Sequence, residues 1–168
     1  MKHFQEMHNN NQSKKSRMVL FLIFLAINFL GLFLGAFFTN QAVTADWYLS
    51  LNKSPITPPG WFFGFAWTTI MLSFAIYLSL LYHSVSNKSK LITLFIVQWI
   101  LNFSWNPLFF NLHYVSLALL NIIALAILVT VIFVSYYTTI RWKSILLLPY
   151  VLWIYVASYL NLYIFINN

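Results

Sequence analysis

Two stretches of this chain set amides and aromatic rings on shared helical faces. Gln98, Asn102, Trp105 and Phe109 recur at i, i+4, i+7 and i+11, and Tyr150, Trp153, Ala157 and Asn161 at i, i+3, i+7 and i+11. A carboxamide offers a donor and an acceptor, and an indole offers a flat polarisable face with one N–H. Such a set can bind a flat, apolar ligand by stacking and edge hydrogen bonds. The same side chains can instead bond helix to helix and fill the interior by packing, so the residues leave both readings open. A third stripe, Trp61, Gly64, Trp67 and Met71, steps three or four residues at a time and adds another indole. Ala157 leaves space beside Trp153 on its face.

Acid–base and metal chemistry lack their groups. The only acidic residues are Glu6 and Asp46, so no apolar segment holds a carboxylate, which disfavours ion-coupled transport and two-carboxylate hydrolysis. The four histidines, His3, His8, His83 and His113, lie near the N-terminus or at segment ends, which disfavours a metal cluster or a centrally held haem iron. With no cysteine, disulfides and thiolate chemistry are excluded. No glycine-rich phosphate loop is present.

The elements that position the stripes follow from composition. Charged residues make up 7% of the chain, hydrophobic residues 61%, and the mean hydropathy is +0.79, whereas a soluble domain carries about 25% charged residues. Apolar stretches at 18–38, 61–82, 91–110, 114–137 and 144–166 are each close to the ~20 residues that cross the hydrocarbon layer as helix. Segments of this length are too long for barrel strands, and a lipid-exposed backbone must bond within itself. The expected fold is an all-α integral membrane bundle of five transmembrane helices over 18–168, preceded by a polar, basic and disordered tail at 1–17. The first apolar run is longer than the core of a cleavable signal peptide and reads as a retained helix.

Eight of the nine basic residues fall in the tail, the 83–90 turn and the 138–143 turn, and only Lys53 falls on the other side. This asymmetry predicts the N-terminus inside and the C-terminus outside. It also accounts for the net charge of +7 through topology and anionic lipid, without nucleic acid.

Three further features set geometry. Gly31 and Gly35 in the first helix permit close approach of another backbone, within the bundle or across a dimer. Residues 39–60 form the one long loop, stiffened by Pro55, Pro58 and Pro59, and serve equally well as a connector or as a lid. Pro107 is expected to end or kink the third helix, Asn111-Leu112-His113 to turn the chain back beside it, and Pro149 to sit in the first turns of the fifth helix.

Four segments taken together resemble the translocator protein / tryptophan-rich sensory protein family (TspO/MBR, the peripheral benzodiazepine receptor family). They are Trp47-Tyr48-x-x-Leu51-x-Lys53, Pro58-Pro59-Gly60-Trp61-x-Phe63-Gly64-x-x-Trp67, Gln98-x-x-x-Asn102-x-x-Trp105-x-x-x-Phe109-Phe110, and Pro149-Tyr150-x-x-Trp153-x-x-x-Ala157-x-Tyr159-Leu160-Asn161. The resemblance covers 18–168 and implies a five-helix bundle, often a homodimer, that binds porphyrins such as protoporphyrin IX, benzodiazepine-type drugs and, in some members, sterols. It implies no resident cofactor. Its pocket, beneath the first loop, would be walled by Tyr48, Trp67, Asn102, Trp105, Trp153 and Ala157.

The residues matching Trp67 and Trp153 are tied in some bacterial relatives to light- and oxygen-dependent porphyrin breakdown, so those two would be the catalytic candidates. The chain departs from the family at Lys53-Ser54-Pro55, where a Lys-Pro order is common. It also has no basic residue after Tyr159 or Tyr163 to complete the animal cholesterol motif.

The expected function is porphyrin binding in tetrapyrrole transport, sensing or stress response. The alternatives are a porphyrin-degrading enzyme, which is less favoured, and a passive scaffold. The expected location is a bacterial cytoplasmic membrane, or the mitochondrial outer membrane in a eukaryote.

Overall fold

The computed structural model describes residues 12–168, and among them every regular element is helical. The long helices are α1 (Gln12–Ala42), α3 (Gly60–Ser84), α4 (Lys88–Asn106), α5 (Val115–Ile140) and α6 (Leu148–Asn167), with a short α2 (Asp46–Ser50) in the first loop. The polar tail expected at 1–17 falls mostly on residues outside the described ones, and 12–17 run on into α1.

Four stretches are long and apolar enough to cross a bilayer: α1, α3, α4 with its extension to Asn111, and Val115–Asn167. The last of these is 53 residues long and is not one rod. The chain reverses at Arg141 (φ 51°, ψ −125°), passes through a 3-10 segment (Arg141–Leu147), and re-enters α-helix at Leu148 with Pro149 in the first turn. Hydropathy had placed this helix from 144. The N–H lost at Pro149 costs nothing in a first turn, which favours the later start.

Other boundaries have equally local causes. α3 begins directly after Pro58-Pro59, with the Phe62 amide donating to the Pro59 carbonyl at 2.9 Å. At the start of α4 the Asn87 side chain accepts from the Lys90 amide at 2.8 Å, an N-cap. As expected, the regular α-helix ends at Pro107, its C-cap, but the chain does not leave helical structure. The turn widens there to a π-helical segment (Pro107–Asn111), closed by the Leu112 amide on the Pro107 carbonyl at 2.9 Å, an arrangement that accommodates a missing N–H and a bulky ring. His113 then takes a left-handed φ of 56° and turns the chain into α5.

Successive long helices run antiparallel. Asn161 on α6 reaches Val115 at the start of α5, while Tyr155 meets Thr130 further along. α4 and α6 run parallel, since Gln98 meets Tyr150 and Trp105 meets Asn161. The main core lies between α1, α3, α4, α5 and α6 around Phe74, Tyr77, Tyr150 and Ile154, all at most 1% exposed.

The outward faces are as apolar as the core, with Phe33, Phe65, Leu120, Val134 and Leu152 each at least 60% exposed. In water such a surface would aggregate; facing lipid, it is the stable arrangement. Arg17, Arg141 and Lys143 gather at one end of the bundle. At the other end α2 packs over the π-helical segment.

Gly31 and Gly35 both face α4 of the same chain. A Cβ at Gly31 would stand 2.6 Å from Trp99 Nε1, and one at Gly35 2.7 Å from Asn106 Nδ2. Gly64, by contrast, faces open space, so the stripe drawn through Trp61, Gly64, Trp67 and Met71 splits: Met71 is buried and Trp61 is 70% exposed.

Candidate functional site

Tyr150, fully buried at the start of α6, is where the two amide–aromatic stripes meet. Its hydroxyl oxygen accepts from Gln98 Nε2 at 2.6 Å and from Asn102 Nδ2 at 2.7 Å. The Trp67 ring lies edge-on to it at 6.0 Å, and Phe74 does the same at 5.4 Å. One turn along α6, Trp153 packs against Phe62 at 5.6 Å and Phe63 at 5.4 Å. Ala157, a further turn on, is half-buried against the same core. The structure thus brings Trp67, Asn102, Trp153 and Ala157 together between α3, α4 and α6.

Trp105 joins this cluster to a second one. Its indole N–H donates to Asn161 Oδ1 at 2.9 Å, Asn161 Nδ2 donates to the Val115 carbonyl at 3.2 Å, and its ring stacks on Phe109 at 5.0 Å. Tyr48 belongs to the second cluster, tilted on Phe110 at 5.6 Å with Lys53 Nζ 4.5 Å above its ring. Burial pushes the Tyr48 phenol up, so it remains neutral over the physiological range.

The loop that carries Tyr48 is held at several points. Trp47 stacks on His113 at 3.9 Å, the Asn52 amide donates to Asn168 Oδ1 at 2.9 Å, and Asn52 Nδ2 donates to the Asn167 carbonyl at 3.0 Å.

Most of the membrane-embedded amides serve helix-to-helix bonding. Besides those at Tyr150 and Asn161, Asn121 donates to the Leu101 carbonyl at 2.7 Å, and Asn106 accepts from Thr39 at 3.0 Å. Five buried side-chain polar atoms among the described residues make no hydrogen bond: the amide oxygens Asn28 Oδ1 and Gln98 Oε1, the indole Trp153 Nε1, and the hydroxyls of Tyr77 and Ser144. The two amide oxygens belong to residues that line a single small cavity, bounded also by Gly31, Met71, Trp99 and Asn102. Its volume of about 10 Å³ is roughly that of one water position. Trp67, Trp105 and Trp153 do not line this cavity.

Two residues matter more than their sequence context suggested. Tyr150 was visible only as the first member of a stripe, and a tyrosine in an apolar segment gives no sign that two amides will share its hydroxyl. Trp99 lay off the amide face, yet its indole donates to the Ile27 carbonyl at 3.0 Å and its ring stands directly over Gly31. The Gly31-x-x-x-Gly35 spacing signalled a close approach without saying what would approach.

A helical bundle with lipid-facing outer surfaces and an amide–aromatic interior defines a multi-pass integral membrane protein. A model of the TspO/MBR family matches residues 9–166. The chain is 39% identical over 139 residues to the tryptophan-rich protein TspO of Archaeoglobus fulgidus, covering 81% of this chain and 88% of the relative. It is 30% identical over 131 residues to the protein CrtK of Rhodobacter capsulatus (76% and 79% covered), and 29% identical over 136 residues to the translocator protein of Bos taurus (79% and 80%). The chain belongs to the TspO/MBR family.

Proposed function

We propose that this protein binds a flat tetrapyrrole of the protoporphyrin IX type between α1, α3, α4 and α6, and acts in tetrapyrrole transport, sensing or stress response. The single observation that carries this reading is the set of unpartnered polar atoms within an aromatic wall. Asn28 Oδ1 and Gln98 Oε1 can accept, and Trp153 Nε1 can donate. A bundle in lipid normally satisfies such atoms internally, because hydrocarbon offers no substitute. A porphyrin brings propionic side chains, which accept from an indole N–H and, when protonated, donate to an amide oxygen, and a plane on which Trp67 and Trp153 can stack.

In this reading α5 and α6 are separate crossings, so the bundle spans the membrane five times. The basic end faces the cytoplasmic side, and α2 with its loop serves as the lid. Tyr48, Trp67, Asn102, Trp105, Trp153 and Ala157 form the wall that a ligand would part. Gly31 and Gly35 lie under α4, so the homodimer implied by the family would use another face.

Titration of the detergent-purified protein with protoporphyrin IX should give saturable quenching of tryptophan fluorescence, weakened by at least about tenfold in the Trp67→Phe/Trp153→Phe variant. Absence of saturation, or an unchanged curve in the variant, would refute the proposed wall. The lid role makes a separate prediction. Trp47→Ala removes the stack on His113 and the edge contact with Phe109, so porphyrin association and dissociation should both accelerate while the equilibrium affinity changes less. Stopped-flow rates identical to wild type would show that the ligand enters elsewhere.

A further inference from the structure

We propose that the basic end of the bundle holds a binding site for a phosphate-bearing anion, formed by Arg17, Arg141 and Lys143. These residues line an open cleft of about 250 Å³, with Arg17 and Arg141 exposed at its rim and hydroxyl-bearing Ser84 and Thr139 on its wall. The walls come from three separated parts of the chain, namely α1, the last turn of α3, and the reversal between α5 and the 3-10 segment. Basic residues placed only to orient a membrane protein need no common cleft; these three share one.

Two further observations point to a ligand. The only carboxylate side chain among the described residues, Asp46, sits in α2 at the opposite end, so no described acidic group is there to neutralise the three cations. Arg141 also occupies a backbone position that an arginine has no local reason to fill. At φ 51° and ψ −125° a residue with a Cβ is strained, by about 1–3 kcal/mol, and glycine would be far less so. A strained side chain kept at the rim of a charged cleft is placed for what it contacts. A guanidinium suits the tetrahedral face of a phosphate, since its fork donates two parallel hydrogen bonds.

The phosphate could belong to a lipid headgroup or be free in solution. The cleft's position favours the lipid. It lies at the ends of the helices beside Trp142, whose indole is 76% exposed, as in side chains that anchor at headgroup depth.

The full-length protein in detergent is compared by thermal unfolding with added phosphatidylglycerol, phosphatidylcholine or inorganic phosphate. The Arg141→Gln/Lys143→Gln variant is run beside Lys88→Gln/Lys90→Gln, which removes equal charge outside the cleft. Phosphatidylglycerol should stabilise the wild type more than phosphatidylcholine, and its affinity should fall about fivefold for each cleft cation removed, with little loss in the outside pair. Stabilisation by inorganic phosphate as well, lost in the same variant, assigns the site to phosphate from either source. No stabilisation by any of the three, or equal losses in the two double variants, overturns the proposal. Arg141→Gly guards against a variant that does not fold. By relaxing the backbone it should raise intrinsic stability while lowering lipid affinity, and an unchanged affinity there also overturns the assignment.

Discussion

Tyr150→Phe should lower the stability of the bundle by about 1–3 kcal/mol, although it removes a single oxygen atom. That oxygen accepts from both Gln98 and Asn102, and without it two amide donors on α4 are left buried in apolar surroundings. Single interhelical hydrogen bonds in membranes average only about 0.6 kcal/mol, because the unfolded state in lipid also finds partners. The loss here should exceed that average, since two donors lose the same acceptor in a site closed to solvent. Thermal unfolding in detergent would measure it. The compensated variant Tyr150→Phe/Gln98→Leu/Asn102→Leu should recover most of the deficit, since replacing both sides of a buried pair with apolar groups is close to neutral. A Tyr150→Phe protein as stable as wild type would show that the shared hydroxyl is not what ties α4 to α6.

The second large effect is expected at Gly31. Valine there sets a Cβ 2.6 Å from Trp99 Nε1, and the indole cannot easily yield, because it donates to the Ile27 carbonyl and stacks on Phe103 at 5.7 Å. Either α1 moves off α4 or the indole gives up its hydrogen bond. Overpacking of this kind costs about 1–3 kcal/mol. Gly64→Ala is the matching control: nothing lies within 4 Å of its added Cβ, so the gain in helix propensity should stabilise the protein by about 0.5–1 kcal/mol. If Gly31→Val and Gly64→Ala shifted the unfolding temperature equally, the close approach of α1 to α4 would be ruled out.

The fold could be read from sequence wherever a single local property governs it. The length of each apolar run gives the long helices, Pro149 marks a first turn, and the paired Gly31 and Gly35 mark a close approach. Hydropathy missed the 3-10 segment, because Ser144-Ile145-Leu146-Leu147 is as apolar as a helix and the reversal at Arg141 carries no glycine or asparagine to announce it. Pro107 shows the limit of a rule about one residue: it forbids an ordinary helical turn without saying whether the chain will stop, bend or widen.

At the site, the two amide–aromatic stripes select residues that face inward, since periodicity reports direction, whereas the stripe begun at Trp61 mixes buried and exposed positions. Which amide meets which hydroxyl depends on the register between helices dozens of residues apart, so Gln98 with Tyr150 and Trp99 with Ile27 had no signature along the chain. Tyr48 and Trp153 appeared as one wall in sequence, yet they occupy neighbouring clusters joined through Trp105.

α4 hydrogen-bonds to α1 through Trp99 and Asn106, to α5 through Ser104 and Leu101, and to α6 through Gln98, Asn102 and Trp105. It also lies in the least apolar of the four long stretches, with a mean hydropathy of 1.3 in its best window against 1.6 to 3.0 for the others. Those properties have a consequence for synthesis. When α4 leaves the ribosome, Asn121, Tyr150 and Asn161 do not yet exist, so the helix with the weakest hold on lipid must wait for the last one to satisfy it. A chain halted after α5 keeps two amides and an indole N–H of α4 without their α6 partners. Completion of α6 is thus the step that gives those three groups their partners.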